Sequence, residues 1–385
     1  MNFKSLPFLF LFLLTTILSF AQDKPELHVG GALRFNYNYS NWKTDHQKKG
    51  GEFGMDVFRL NAKASYKGIR LDAEYRFYSS AFGGAMLKQG WLAYDLSEVN
   101  EIQLGLTQVP FGNTTYNSNN WFFSINYYVG LEDDHDMGFK YSHKGEKWEY
   151  DIAFFKNAEE LTFGDGTDLD NSRYAYDVSS IDLGNGLQYR NKEANTFNGK
   201  LSYNIEGSES KHKIGGSVQY GGIYNLDTEE MGDHYAVALH YMMDWKRFNF
   251  KAQASHYNYN TAGPDTDSKD LIAMGAYGAP YLVAAEASLY TAGIAYTQPV
   301  AWGPVSSLMF YNDFGWMNKT VEDFADAYQN VTGVLVTAGS VFTYIDLAAG
   351  KNQPWLGPDW TDGLGAGNPD ADWTFRFNIN VGYYF

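Results

Sequence analysis

The chain has 385 residues, no cysteine, 10 prolines and a formal net charge of −16. With 30 Tyr, 27 Phe and 10 Trp it carries too much apolar surface for a disordered protein, the missing cysteines exclude a disulfide framework, and the acidic balance argues against nucleic acid as a partner. The mean hydropathy of −0.39 is that of a soluble protein, but a membrane barrel reads the same, because every second strand residue faces a wet lumen.

The first segment has the pattern of an export signal. Lys4 supplies the positive charge, Leu6 to Phe20 is an almost unbroken apolar run, and Ser19-Phe20-Ala21 carries small residues where signal peptidase reads, so cleavage is expected after Ala21. A membrane anchor is the rival reading, but the run is about 15 residues where a spanning helix needs ~20. Residues 22–385 then form one unit, since no linker composition divides them, and no later run is long enough for a membrane helix.

From there the dominant signal is alternation of apolar and polar residues, the period of a strand with one lipid-facing or core-facing side. Leu27, Val29, Leu33, Phe35 and Tyr37 alternate with His28, Arg34, Asn36 and Asn38; a long connection, 40–52, follows. Phe58, Leu60, Ala62, Ala64 and Tyr66 alternate with Arg59, Asn61, Lys63 and Ser65 up to a tight Lys67-Gly68 turn. Ile69, Leu71, Ala73, Tyr75 and Phe77 then alternate with Arg70, Asp72, Glu74 and Arg76. A fainter strand near 86–96, a short turn at Ser97 to Asn100 and a strand entering the long loop 109–135 come next. Met137-Phe139-Tyr141 and Trp148-Tyr150-Ile152-Phe154 flank a turn at Lys144 to Lys147, and 157–196 reads as a long loop. Ile214-Val218-Tyr220, Tyr235-Val237-Leu239-Tyr241 and Phe248-Phe250-Ala252 are strands, with short turns at Glu206 to Ser210 and Asp244 to Lys246. After the long loop 258–288 comes another faint strand, 289–297, a turn at Ala301-Trp302-Gly303 and a loop at 315–329. Residues 331–338 descend, Gly339-Ser340 turns and 341–348 ascend; 349–371 is the last long loop. The final strand is the clearest, with Trp373, Phe375, Phe377, Ile379, Val381, Tyr383 and Phe385 opposite Arg376, Asn378 and Asn380.

Tight turns alternating with long polar loops predict an all-β transmembrane antiparallel barrel, turns at the periplasm and loops outside; a soluble β-sandwich has no need of loops so long on one side. Because the first strand runs outward and the last inward, the count must be even. Splitting 330–348 gives about 16 strands, with 14 or 18 as the alternatives, wide enough for an aqueous channel. With only a handful of residues between Ala21 and the first strand, no N-terminal plug is expected. Outward aromatics such as Tyr37, Tyr66, Phe77, Trp148, Tyr241 and Trp373 read as interfacial girdles.

Several segments resemble the phosphate-selective porin O and P family. They are Leu104-Gly105-Leu106 with Val109-Pro110-Phe111-Gly112, Phe58-Arg59-Leu60, and Trp148 to Asn157. Phe310 to Gly315, Tyr344-Ile345-Asp346 with Gly350 to Gln353, and the ending Arg376 to Phe385 resemble the Bacteroidetes subgroup. The resemblance implies a pore-forming barrel of the bacterial outer membrane, a homotrimer in its better-known members. It does not carry phosphate selectivity across. Those members place basic residues on the inward loop, whereas 109–135 here holds no Lys or Arg and runs out through Glu132-Asp133-Asp134-His135 to Asp136.

The inward strand positions are biased to basic residues. Arg34, Arg59, Lys63, Arg70, Arg76 and Arg376 form the expected pore-lining belt, and Lys140, Lys200 and Lys251 are further lumen cations. Counted along their strands, Arg34, Arg59, Arg76 and Arg376 fall at similar depth, and a ring of charge is how a pore selects by charge. Asp72 and Glu74 are placed to neutralise it, and the acidic residues Glu132, Asp133, Asp134 and Asp136 could instead fold inward to face it and create a transverse field. No Gly-x-Ser-x-Gly or His-Glu-x-x-His occurs, so no enzyme is expected. No cofactor or metal is expected either; Asp165, Asp168 and Asp170 lack EF-hand spacing. The expected partners are outer-membrane lipid and lipopolysaccharide, the barrel-assembly machinery acting on Phe385, and small hydrophilic solutes, anions among them. Sugars or other neutral solutes are the alternative cargo, and a surface-binding barrel without an open pore is the alternative class.

Overall fold

The computed structural model describes residues 25–159, 171–184 and 187–385. The expected export signal, 1–21, and the Asp165, Asp168, Asp170 cluster lie outside the described residues.

Among the described residues, 16 antiparallel strands close into one barrel. In chain order they are β1 (Glu26–Ser40), β2 (Glu52–Tyr66), β3 (Ile69–Phe77), β4 (Ala85–Ser97), β5 (Asn100–Gln108), β6 (His135–Lys144), β7 (Trp148–Asn157) and β8 (Gln188–Glu206). They continue with β9 (Ser210–Asn225), β10 (Met231–Trp245), β11 (Phe248–Asn260), β12 (Glu286–Trp302), β13 (Val305–Lys319), β14 (Ala327–Ala338), β15 (Val341–Lys351) and β16 (Thr374–Tyr384). Each pairs with its chain neighbour, and β1 pairs with β16 in the register Arg34 to Gly382, so no edge is left open. Closure is sealed past the last strand: the Gly31 N–H donates to the Phe385 carbonyl at 2.9 Å and the Phe385 N–H to the Gly31 carbonyl at 3.1 Å.

The alternation in the sequence becomes a barrel wall with its apolar side outward. Leu239 is 73% exposed and Ile152 61%, while their inward neighbours His240 and Ala153 are buried. Exposed apolar side chains on every strand face are stable only against hydrocarbon, and a closed barrel is the sheet arrangement that satisfies all backbone groups there. Among the described residues no helix is long and apolar enough to cross a membrane. Tight turns join strands at one end. At Lys67-Gly68 both residues take positive φ, 50° and 81°, the conformation whose twist matches two paired strands and that glycine adopts without strain.

At the other end the connections are longer, except that 78–84, 226–230 and 320–326 are short; the alternation anticipated neither of the first two. Other boundaries also move. β8 begins at Gln188, inside the expected loop 157–196, and β13 runs to Lys319, shortening the loop expected at 315–329. The hairpin expected at 301–303 turns at 303–304, because β12 extends through Trp302. Loop 261–285 is itself structured, its strands Leu271–Ala276 and Ala279–Ala284 pairing with each other and the first of them also with Asp177–Val178.

The apolar core lies inside the barrel, made by loops. Phe111, Ile125, Tyr127, Tyr128 and Leu131 of the 109–134 loop pack with Tyr176, Ile272, Met274, Tyr281 and Leu364 from three other loops and with Tyr257 of β11. The buried tyrosines are hydrogen-bonded, Tyr257 OH to the Ala284 carbonyl at 2.9 Å and Tyr281 OH to the Tyr128 carbonyl at 2.8 Å, as buried hydroxyls require.

Candidate functional site, an arginine-lined cavity

The 109–134 loop leaves β5 and crosses the lumen rather than projecting from it. Its attachments to the wall are specific. Gly112 N–H donates to Ser217 Oγ at 3.0 Å, Asn113 N–H to Gln253 Oε1 at 2.9 Å, and Asn117 Nδ2 to Thr291 Oγ1 at 2.7 Å. Asn119 and Asn120 both bind Asp313, while Asn126 Oδ1 accepts from Ser255 Oγ at 2.8 Å. Three wall lysines hold the loop and its root: Lys251 donates to the Ser118 carbonyl at 2.7 Å and Lys200 to Thr114 Oγ1 at 2.6 Å, while Lys140 donates at 2.7 Å to the carbonyl of Gln108, the last residue of β5 before the loop. These are the lumen cations expected from the sequence, and the structure uses them as loop anchors. Gly112 has φ +59°, and a Cβ there would stand 2.2 Å from Gln253 Oε1, so the loop approaches the wall as closely as a backbone can.

Between this loop and the opposite wall, built by β1 to β3 and β16, lies a cavity of about 620 Å³. Arg34, Arg59, Arg76 and Arg376 all line it. On the loop side stand Trp121, Phe122, Phe123, Tyr127 and Tyr128, joined by Tyr174, Tyr277 and Trp355 from other loops. Arg34 lies over Trp121 with its Cζ 4.3 Å from the ring centroid, Arg76 over Tyr174 at 4.2 Å and Arg376 over Phe122 at 5.6 Å. Guanidinium groups stacked on ring faces keep their charge while being held in place.

The belt is an oblique ladder and not a level ring. Arg59 stands directly opposite Arg76, and Arg59 pairs in register with Ala32, two residues from Arg34. Arg376 pairs with Ser40, six residues further along β1, because the shear of the barrel displaces β16 relative to a simple residue count. Lys63 and Arg70 do not belong to the ladder. Lys63 bonds Asp72 at 3.2 Å, and Arg70 binds Asp95 at 2.8 Å and also Glu101, near the tight turns. Of the two carboxylates expected to neutralise the belt, Glu74 does so, bonding Arg59 at 3.1 Å and Arg76 at 2.6 Å, while Asp72 is taken by Lys63.

The sequence reading missed Asp56, which bonds Arg34 Nε at 2.8 Å. Strict alternation puts Asp56 on the lipid face with Phe58. A register shift between Arg34 and Phe35 lets two β2 residues oppose one, which turns Asp56 inward. It also missed Lys88, buried on β4 with Nζ 2.9 Å from Asp133 Oδ2, because that strand's alternation is faint. Arg376 has no carboxylate within ion-pair distance among the described residues; its Nε donates to Asn38 Oδ1 at 2.9 Å.

The acidic residues of the loop do not face the arginines, so the transverse field does not form. Glu132 turns back into its own loop, accepting from Asn117 N–H and Ser124 N–H, both at 3.0 Å. Burial pushes its carboxyl up to about 7 in spite of these donors. Asp133 is taken by Lys88 and by Tyr174 OH at 2.8 Å, and Asp134 and Asp136 are buried against the 158–187 loop. Charged side chains lining the cavity are thus Arg34, Lys43, Arg59, Arg76 and Arg376 against Glu52 and Asp56.

No family model matches the chain. No curated protein sequence matches it. Solved structures do match over nearly the full length. The outer membrane channel DcaP of Acinetobacter baumannii aligns with a TM-score of 0.61 at 11% identity, covering 95% of this chain and 99% of that one. An anion-selective porin from Comamonas acidovorans aligns at 0.60 and 12%, covering 94% and 100%, and OmpT of Vibrio cholerae at 0.54 and 12%, covering 95% and 99%. At such identities the likeness is one of fold. That fold, with its continuous lipid-facing apolar belt, places the chain in the bacterial outer membrane.

Proposed function

We propose that the protein is an outer-membrane porin through which small hydrophilic solutes diffuse passively, with a preference for anions at the narrow point between the 109–134 loop and the arginine ladder. The carrying observation is the cavity itself: five cationic side chains, Arg34, Lys43, Arg59, Arg76 and Arg376, line it against two carboxylates, Glu52 and Asp56. A carboxylate or phosphate passing there meets planar donors able to bind it bidentately, and a cation meets net repulsion. In this reading the chain is exported with cleavage after Ala21, is folded by the barrel-assembly machinery, sits among lipopolysaccharide and belongs with the phosphate-selective porin O and P barrels by descent while lacking their basic loop. The anion preference printed for the Comamonas porin shows what this fold can support.

The aromatic wall opposite the ladder favours a second cargo. Trp121, Phe122 and Tyr128 offer faces on which a sugar ring could stack while its hydroxyls meet the guanidinium groups. Replacing Arg34 and Arg59 with Gln tests the first reading. In a planar bilayer under a salt gradient the reversal potential should move toward cation preference, while Lys211→Gln with Lys213→Gln near a tight turn should leave it in place. An unchanged potential in the arginine variant, with sugar flux in liposomes intact, would favour the second.

A further inference from the structure

The acidic residues withdrawn from the cavity meet elsewhere. Asp134 at the end of the 109–134 loop, Asp136 on β6, and Glu159 and Asp177 in the 158–187 loop each bring a carboxylate oxygen to one point, all within 4.8 Å of one another. All four are buried. Glu193 of β8 stands close enough to interact with Asp177 and Asp136. One guanidinium touches the group: Arg173 Nη1 is 3.4 Å from Asp177 Oδ2.

Buried carboxylates at this spacing repel unless something positive lies among them. Hydrogen bonds satisfy part of the group. Ala175 N–H donates to Glu159 Oε1 at 2.8 Å, His135 N–H to Asp134 Oδ1 at 2.9 Å and Val178 N–H to Asp177 Oδ1 at 2.5 Å. Two oxygens are left without a donor although buried: Asp136 Oδ1 and Glu159 Oε2. Asp136 is 1% exposed, and its side chain points into the cluster with the oxygens of the other three around it.

We propose that Asp134, Asp136, Glu159 and Asp177 form a binding site for a hard divalent cation, calcium, which ties the end of the inward loop to the 158–187 loop and the barrel wall. The ligand set is oxygen alone, with no sulfur or imidazole, which selects calcium or magnesium over zinc or copper. Calcium bonds of about 2.3–2.6 Å let opposed ligands stand about 5 Å apart, whereas magnesium needs about 4 Å and keeps several of its waters. Oxygens that all lie within 4.8 Å of one another can reach one ion together, and four buried protein carboxylates suit the ion that gives up its waters more readily. Asp134 directly follows Asp133, the partner of Lys88, so a bound cation would fix the end at which the inward loop rejoins the wall. This proposal is independent of the pore reading, since the site and its readouts need no current.

The test uses the full-length protein in detergent, stripped with EGTA and titrated with CaCl₂. Wild type should show a calcium-dependent rise in its thermal unfolding midpoint, with a much smaller rise for MgCl₂ at equal concentration. It should also show terbium emission, sensitised by nearby Tyr174 and Tyr176 and displaced by calcium. Asp136→Asn and Glu159→Gln should each weaken terbium binding at least about tenfold and flatten the calcium response. Should either variant fail to fold, the wild-type titration alone decides. If calcium moves neither the midpoint nor the terbium signal, or if Asp136→Asn responds as wild type does, the site does not exist. A variant more stable than calcium-free wild type, with no calcium effect on wild type, would show instead that shared protons hold the cluster.

Discussion

Glu74 accepts from both Arg59 and Arg76, so a single carboxylate sets the charge of the middle of the ladder. Its removal and the removal of an arginine should therefore act in opposite directions. Glu74→Gln should shift the reversal potential further toward anions at low salt. It should also destabilise the barrel by ~3–5 kcal/mol, the range for breaking a half-buried or buried pair on one side. A shift in the same direction as Arg59→Gln would mean that the ladder does not set selectivity. Glu132 yields a pH prediction. Its carboxyl is held up at about 7 in the seated loop against an ordinary 4.5. The seated state therefore binds the proton more tightly than the unseated one, and that stabilisation is complete below about pH 4.5 and lost as pH rises through about 7. Open-channel noise should grow between about pH 5 and pH 8, and Glu132→Gln should remove the dependence; noise that is flat with pH in wild type would contradict it. At this scale the four arginines were legible, because strand phase alone decides which side faces the lumen. Asp56 was not, because one bulge reverses phase locally; the break between Phe53-Met55 and Phe58-Leu60 on the outward face is the only trace it leaves in the sequence. The destinations of Glu132, Asp133, Asp134 and Asp136 were illegible for another reason: they are fixed by loops that meet only in the folded barrel.

The 109–134 loop is the element on which the site depends. Nothing in its composition predicts an inward course, since it lacks the basic residues that mark such loops in the family it resembles. Its asparagines are the retrospective signal: Asn113, Asn117, Asn119, Asn120 and Asn126 each bond a wall or loop group. Gly112→Ala should pull this ladder of contacts apart at its first rung, through positive φ at a cost of ~1–2 kcal/mol and through the clash with Gln253. The expected outcome is a larger and noisier single-channel conductance with the barrel intact; a conductance equal to wild type would show that the loop does not set the constriction. The terminal strand is a second element with its own test. Because the Gly31 and Phe385 backbones exchange hydrogen bonds across the closure, removal of Phe385 should lower the outer-membrane yield severalfold without lowering synthesis. Equal yield would contradict it. Strong alternation made β16, β2 and β3 easy to place from sequence. The parity that closure demands placed the split of 330–348 into two strands, and the faint strands expected near 86–96 and 289–297 were the least legible. Loop lengths were less legible, because strands continue beyond the lipid-facing belt where alternation no longer has to hold.

For the molecule as a whole, one physical requirement organises the rest. A sheet in hydrocarbon must close on itself, and a barrel of this size leaves a lumen that its own loops then fill. The turn end is left to short hairpins, the loops fill the lumen with the tyrosine-rich core, and the arginine-lined cavity lies along the β1–β3 and β16 wall. Such a barrel should remain folded in dodecyl sulfate at room temperature and change its gel mobility only after boiling. The central claim is that this cavity is a pore whose arginines prefer anions. Purified protein should be added to a planar bilayer at low salt, and the reversal potential measured under a KCl gradient. The account predicts stepwise ohmic increments with a reversal potential on the chloride side, fading as salt rises because the Debye length shrinks from ~30 Å at 0.01 M to ~3 Å at 1 M. Absence of conductance steps, or a potential on the potassium side at low salt, would contradict it.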